Sequence, residues 1–457
     1  MTTSRIELQG SSDNAASGDN PQTQSVQRLA RSIFLVQLMT VGMGYLIYSM
    51  NRSAFPIGLH SIAHSLGFSV QQVGTLATIF LLGQALIDVP AGLWNAGHGK
   101  SGVTPRMNAL MLIGTAGAGA TSMLLAYLAY NYPLTLTYRV LFGVFEGIFN
   151  ISAYSFAGSV LPQRRAFLNN CLGFFFATGA VIGPTVFSQI IASSDPDTGW
   201  RLGLSIFGIV TIVLAFVMFI VMAVTLRKMR RDQPAASVVV ASVAHHERES
   251  MRDAFLDVAR RGSMWKGLAI HAVNLISYWE FSGLMPTFLI QYQHKSVGFV
   301  GVVFGFGFGL TSLVSPLFGW IADRYGRQVV VAALGIVDAI GLYVLLNHPA
   351  GQAVTMMIVF IIGVGLNTLY FMGYTLAQDG VPNHRVAIAT GFAGALGYLV
   401  ASGAGPVSGW LTGIADYRLA GTIELIGPQI VVAVLALVFL PGVKAWQKMK
   451  KEGALIE

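Results

Sequence analysis

Arg52, Arg139 and Glu146 stand in stretches whose other residues are almost all apolar. A guanidinium keeps its charge in nearly any environment and grips a carboxylate through two parallel hydrogen bonds. A carboxyl group in a site that alternately dries and wets can take up and release a proton. Arg139 and Glu146 are seven residues apart, two turns along one helical face, which sets their Cα atoms ~10 Å apart. Long side chains narrow that gap, or a water or bound anion bridges it. Plainer readings exist for the same residues: Arg52 snorkelling to a membrane surface, and Arg139 with Glu146 as a permanent structural pair. More polar residues recur at helical spacing: Tyr48 and Asn51 beside Arg52, Asn150 beyond Glu146, then His271, Asn274 and Tyr278, and Asn367, Tyr370 and Tyr374.

Composition defines the elements that must hold these residues. The chain has 457 residues, 54% apolar and 11% charged, with a mean hydropathy of +0.63. A soluble protein carries roughly 25% charged residues. A soluble enzyme, a disordered chain and a nucleic-acid binder are therefore excluded, and an all-α polytopic membrane protein remains. A bilayer core needs ~20 mostly apolar residues per helix. Twelve runs meet that rule: 33–57, 71–94, 107–130, 134–158, 166–193 and 202–226, then 266–291, 297–321, 329–347, 352–378, 386–415 and 420–443. Cationic loops face the cytoplasm in such proteins. With both termini inside, the outer loops hold only Arg201, Lys295 and Arg418, and only Arg52 and Arg139 fall inside spans away from their inner ends. The net charge of +8 thus belongs to inner loops and tails. Cys171 is the single cysteine, so no disulfide or thiolate metal site is expected. No G-x-x-x-x-G-K-[ST] loop is present, and neither metal nor cofactor is expected.

Polar stretches divide the chain. Residues 1–32 read as a disordered cytoplasmic tail, 33–226 as one six-helix bundle and 227–264 as a cytoplasmic linker. Residues 265–446 read as a second bundle and 447–457 as a cytoplasmic tail. Within the linker, Met251, Phe255 and Val258 at helical spacing predict a short amphipathic helix, either on the membrane surface or merely solvated. The loop after span 8 reads Gly319-Trp-Ile-Ala-Asp323-Arg324-Tyr-Gly326-Arg327, and the loop after span 2 reads Gly92-Leu-Trp-Asn-Ala96-Gly97-His-Gly99-Lys100. The glycines and the final cation align. In the complete copy, Asp323 can meet the positive N-terminus of a neighbouring helix. Arg324 and Arg327 can pair with carboxylates of another helix. Such a latch would gate the inner face, more weakly in the copy that lacks acid and first arginine.

The pattern G-x-x-x-D-R-x-G-R, with its degenerate copy and the six-plus-six layout, resembles the signature loop of the major facilitator superfamily over about residues 33–446. Tyr48-Ser-Met-Asn51-Arg52 is similar to the Y-x-D-R region of the anion:cation symporter family within it. Arg139-x-x-x-Gly143-x-x-Glu146, Leu284-Met-Pro286-Thr-Phe-Leu and Gly199-Trp200-Arg201 are similar to further motifs of that family. Asn51 departs from it, since an acid is usual there. The resemblance implies two six-helix bundles around a central cavity lined by helices 1, 4, 7 and 10, and proton-coupled symport of an organic anion. It places Arg52 as anion clamp. Tyr48, Asn51, Asn274, Tyr278, Asn367, Tyr370 and Tyr374 would shape the pocket. Glu146, Arg139 and His271 would couple the proton, His271 being equally readable as a neutral, hydrogen-bonded residue. Asp323, Arg324 and Arg327 would gate.

The reading that follows is a monomeric secondary transporter in the plasma membrane, the inner membrane if the source is bacterial. It takes up a small organic anion, a carboxylate by its chemistry, with protons as co-substrate and the lipid bilayer as surroundings. Two alternatives stay open. Gly183-Pro184 also occurs in efflux antiporters of the superfamily, and a transporter scaffold can serve as a non-transporting sensor.

Overall fold

Residues 21–96, 105–160, 165–195, 198–232, 251–381 and 386–452 are described by a computed structural model, and every regular element among them is helical. The long helices are α1 (Pro21–Leu66), α2 (Val70–Thr78 continued by Phe80–Ala96), α3 (Pro105–Leu128), α4 (Tyr132–Val160), α5 (Arg165–Ala192) and α6 (Gly199–Asp232). The second half holds α7 (Gly262–Gln291), α8 (Val297–Tyr325), α9 (Arg327–Asn347), α10 (Gln352–Asp379), α11 (Val386–Ser402 continued by Ala404–Ile414) and α12 (Tyr417–Phe439). Ten of these are long and apolar enough to cross a membrane. The other two, α1 and α7, run to 46 and 30 residues and are interrupted by Gln37, Asn51 and Arg52, and by His271, Asn274 and Glu280.

Loop chemistry explains the helix ends. Gly67 ends α1 at φ +67°, and Phe68 N–H reaches back to Ala63 C=O. Ser69 then caps α2 in a reciprocal box with Gln72. Ser296 and Asp416 cap α8 and α12 by accepting from Phe299 N–H and Leu419 N–H. Residues 21–32, expected to be disordered, instead extend α1. They contain no glycine, and their one proline stands at the first helical position, where it costs no hydrogen bond. Residues 1–20, 233–250 and 453–457, which belong to the expected tails and linker, lie outside the described residues, as do Gly97–Lys100 of the degenerate loop.

Helices α1 to α6 pack mainly among themselves, and α7 to α12 do likewise. Glycines set the closest approaches inside the first bundle: a Cβ at Gly143 would run into the carbonyl of Phe80, and one at Gly179 into that of Leu46. Glycines also line the seams between bundles. Gly74 of α2 lies against Gly405 and Gly409 of α11, while Gly301, Gly305 and Gly309 of α8 lie against Ser188, Thr185 and Ala180 of α5. Where hydrophobic burial gives no drive between helices, such backbone-close contacts supply it. Thr78, at the break in α2, donates to Ser402 C=O (3.0 Å) and accepts from Gly405 N–H (3.2 Å), at the break in α11.

Span 8 is not one regular helix. It changes to a π turn over Val303–Phe308 and a 3-10 turn over Gly309–Leu313. The carbonyl of Phe308 is taken up by the Thr311 hydroxyl and by Asn367 Nδ2 (3.1 Å). The linker helix Met251–Ala259 is present, and it packs on the protein. Phe255 rests on Phe392 of α11 with centroids 4.4 Å apart, Val258 is fully buried, and Trp265 donates to Ala259 C=O.

Overpacking a close backbone contact costs about 1–3 kcal/mol. Gly143→Ala is therefore expected to lower thermal stability in detergent by an amount in that range. Gly391→Ala, with nothing within 4 Å of the added carbon, is expected to leave the transition unchanged; the two melting curves check this.

Candidate functional site

A small cavity of about 30 Å³ lies between the bundles. Arg52, Pro56, Ala77, Phe80, Phe176 and Pro184 line it from the first half, and Tyr278, Trp279, Phe304, Phe308 and Asn367 from the second. One approach to it is covered where the C-terminal ends of α1 and α7 meet, with Gln291 hydrogen-bonded to His60 (3.0 Å), and along the α2–α11 and α5–α8 seams. Towards the other end, Tyr154 meets Tyr374 (5.5 Å) and Phe176 meets Phe371 (6.2 Å).

Arg52 is 3% exposed and is the cation at the cavity wall. Its Cζ sits 3.8 Å from the centroid of the Trp279 ring and 4.8 Å from that of Phe80, with Tyr48 and Tyr398 at 5.2 and 5.6 Å. An aromatic box attracts a cation through the ring quadrupoles, but it supplies no acceptor. One Nη1 bond goes to the Tyr48 hydroxyl, which also accepts from Gln84 (3.2 Å). Glu146 Oε2 is 3.9 Å from Nη1. Arg52 Nε and Nη2 have no protein partner. Two donors of a planar fork on a cavity-lining residue are thus left unpaired, the arrangement that a carboxylate satisfies.

In sequence, Glu146 and Arg139 share a helical face, either as neighbours bridged or tuned by one another or as a permanent pair. The structure brings Glu146 to Arg52 instead, beside a small second cavity inside the first bundle lined by Tyr48, Asn51, Thr115 and Thr211. Arg139 turns along its helix to stack on Phe55 (3.7 Å) and Phe80 (4.7 Å), and its Nε donates to Leu76 C=O. Both residues are buried, and they share one bundle without an ion pair between them.

The remaining expected pocket residues divide. Tyr278 and Asn367 line the cavity and bond each other at 3.2 Å. Tyr370 and Tyr374 both bond the hydroxyl of Tyr398, at 2.6 and 2.8 Å, in a layer behind it. Asn51 points into its own bundle and donates to Thr211 Oγ1 (2.7 Å). Asn274 points towards α12 and accepts from Gln429 (3.0 Å). His271 is fully buried between Gly373 and Gly397, its ring on Tyr374 at 4.6 Å, with neither nitrogen hydrogen-bonded.

Sequence reasoning missed Trp279, Tyr398, Phe80 and Gln84. Trp279 follows Tyr278, and Gln84 stands four residues before Asp88; those were the available signals. At the charged end, Arg327 pairs with Asp379 of α10 and with Asp323 (3.1 Å), and stacks on Trp446 of the C-terminal helix Val443–Glu452. Arg324 is exposed and lies over Trp320 and Tyr325. The motif Gly199-Trp200-Arg201 acts as a staple: Trp200 donates to Ser65 (2.9 Å), and Arg201 caps the end of α3 at Ala126 and Ala129.

The family model of the Major Facilitator Superfamily matches residues 41–406. The chain belongs to that superfamily. It is a multi-pass membrane protein of the plasma membrane. A hexuronate transporter of Bacillus subtilis (strain 168) is 23% identical over 406 residues, covering 85% of this chain and 90% of that one. An uncharacterized MFS-type transporter of the same organism is 23% identical over 417 residues, covering 87% and 92%. Among solved structures, a D-xylose-proton symporter superposes with a TM-score of 0.68 at 14% identity, covering 90% of this chain and 99% of that one. A bacterial homolog of the human lysosomal transporter Spinster, inward-facing and unoccupied, gives 0.61 at 14% identity, covering 92% and 97%. The superpositions establish a shared fold.

Removing one partner of a buried ion pair costs up to about 3–5 kcal/mol, because a charge is left uncompensated. Arg52→Ala is expected to destabilise the protein by a few kcal/mol at neutral pH, and Arg52→Ala with Glu146→Gln to recover much of it. A double-mutant cycle on detergent melting curves measures the coupling.

Proposed function

We propose that this chain takes up a small organic anion, a carboxylate of the hexuronate class, together with protons, by alternating access between two six-helix bundles. The observation that carries the reading is the pair of unpartnered donors, Nε and Nη2, on Arg52, which lines a cavity between the bundles. A carboxylate supplies the two acceptors that they lack. The hydroxyls of Tyr278, Tyr370 and Tyr374 and the amide of Asn367 would face or back the ring of a hydroxylated acid, and the Trp279 ring offers it an apolar floor. The hexuronate transporter among the relatives, and the symporter among the structural neighbours, support this substrate class and this coupling.

Charge counting supports the proton. Arg52 is the buried cation at the cavity, and Glu146 is the buried acid beside it at 3.9 Å. An entering carboxylate adds one negative charge at low dielectric, where uncompensated charge is costly. A proton on Glu146 restores the balance and frees Arg52 for the substrate; its later loss favours substrate release. Asn51 cannot carry that proton. In this reading α1 and α7 cross the membrane with the other ten helices, both termini are cytoplasmic, the protein works as a monomer, and Asp323, Arg324 and Arg327 steady the inner gate.

Labelled D-glucuronate in proteoliposomes tests it. Wild type is expected to accumulate the acid under an inward proton gradient. Arg52→Lys, which keeps the charge and loses the fork, is expected to weaken binding at least about tenfold, the loss of one charged hydrogen bond of roughly 1.5–3 kcal/mol, and Arg52→Ala to abolish uptake. Glu146→Gln is expected to keep exchange of internal for external acid and to lose gradient-driven accumulation. Full accumulation by Glu146→Gln would move the proton to another group.

A further inference from the structure

Asp88 of α2 has no role in the anion site, yet it is fully buried, and neither carboxyl oxygen has a hydrogen-bond partner. Its position is unusual. A Cβ at Gly147 of α4, in its own bundle, would lie 2.9 Å from Oδ1, and a Cβ at Gly394 of α11, in the opposite bundle, 2.8 Å from Oδ2. The carboxyl group is wedged between two glycines, one on each bundle, and any larger residue at either place would take its room. The wedge sits on the charged-end half of the α2–α11 seam, beside Tyr374, whose ring meets Tyr154 across the bundles.

The groups facing it are few. From α1, the charge of Arg52 reaches it, but no ion pair forms between them. From α4, Glu146 precedes Gly147 and is turned to Arg52. From α10 and α11 come the phenols of Tyr370, Tyr374 and Tyr398. An ionised carboxylate stripped of water and of every hydrogen bond is far costlier than a neutral carboxyl in the same place. Only the neutral form suits the packed seam, whereas the ionised form suits a seam that has parted and admitted water.

We propose that Asp88 is a proton-binding site on the seam between the bundles: protonated, it lets α2 and α11 close at their charged ends, and deprotonated, it holds that end open. This rests on the proposed symport, and it adds a second proton acceptor, one that acts on the gate and not on the anion. The proton would leave towards the side on which the seam opens, so release of the proton and opening to that side are one event.

Spin labels at Arg106→Cys on α3 and Arg260→Cys on the docked linker helix, both exposed, in a Cys171→Ser background in nanodiscs, report the separation of the charged ends. For the otherwise unaltered protein, the distance is expected to lengthen as pH rises. Asp88→Asn is expected to keep the short distance at every pH, and Gly394→Ala, whose added carbon takes the wedge, to keep the long one. A distance that does not move with pH, or a shift that survives Asp88→Asn, overturns the proposal. Uptake of D-glucuronate is scored separately. Its absence alongside an Asp88-dependent shift would refute the symport reading and leave the proton site standing.

Discussion

A permanent charge held away from water must be neutralised where it stands, and in this protein that charge is the guanidinium of Arg52. Its surroundings follow from that need. Trp279, Phe80, Tyr48 and Tyr398 offer ring faces from both bundles. Glu146 supplies a compensating charge from α4 at 3.9 Å, close enough to attract but without a hydrogen bond. The compensation is incomplete by two donors, and that deficit gives the cavity its chemistry. A tighter Arg52–Glu146 pair would be a structural element; a looser one would leave the buried arginine uncompensated.

The same cluster spans the two halves of the fold, so neutralising it and closing the molecule are linked. Arg52 belongs to α1, while two of its four rings come from α7 and α11. Around it the bundles touch through glycines: Gly74 on Gly405, and Gly301, Gly305 and Gly309 on α5. Contacts of this kind are close yet carry few interlocked side chains, which suits surfaces that part and meet again. The irregular turn of α8 falls on this seam, and Asn367, a cavity residue, satisfies its freed carbonyl. Pocket and irregular turn thus share a residue.

Much of the architecture was legible in the sequence because it depends on the length and polarity of helices, and the spans and their order emerge where the runs lie. The positions of side chains around the helix axes were less legible. Asn51 and Arg52 are neighbours, ~100° apart on a helix, so one faces the cavity and the other faces Thr211. Periodicity along α4 put Glu146 and Arg139 on one face, but the partner of Glu146 came from α1, a fact held in helix packing and not in any single helix. Trp279, Tyr398 and Phe80 look in sequence like any aromatic residue of an apolar span. The break in α8 had a signal in Gly305, Gly307 and Gly309, although glycines there read equally as packing.

The central claim is that Arg52 recognises a carboxylate, and the most direct measurement compares an acid with its uncharged counterpart. Calorimetric titration of the purified protein with D-glucuronate and with its methyl ester isolates the charge, since the two share a ring and its hydroxyls. Binding of the acid, with the ester weaker by about tenfold or more, is the expected result, given roughly 1.5–3 kcal/mol for a hydrogen bond to a charged group. Equal affinity for acid and ester would contradict it.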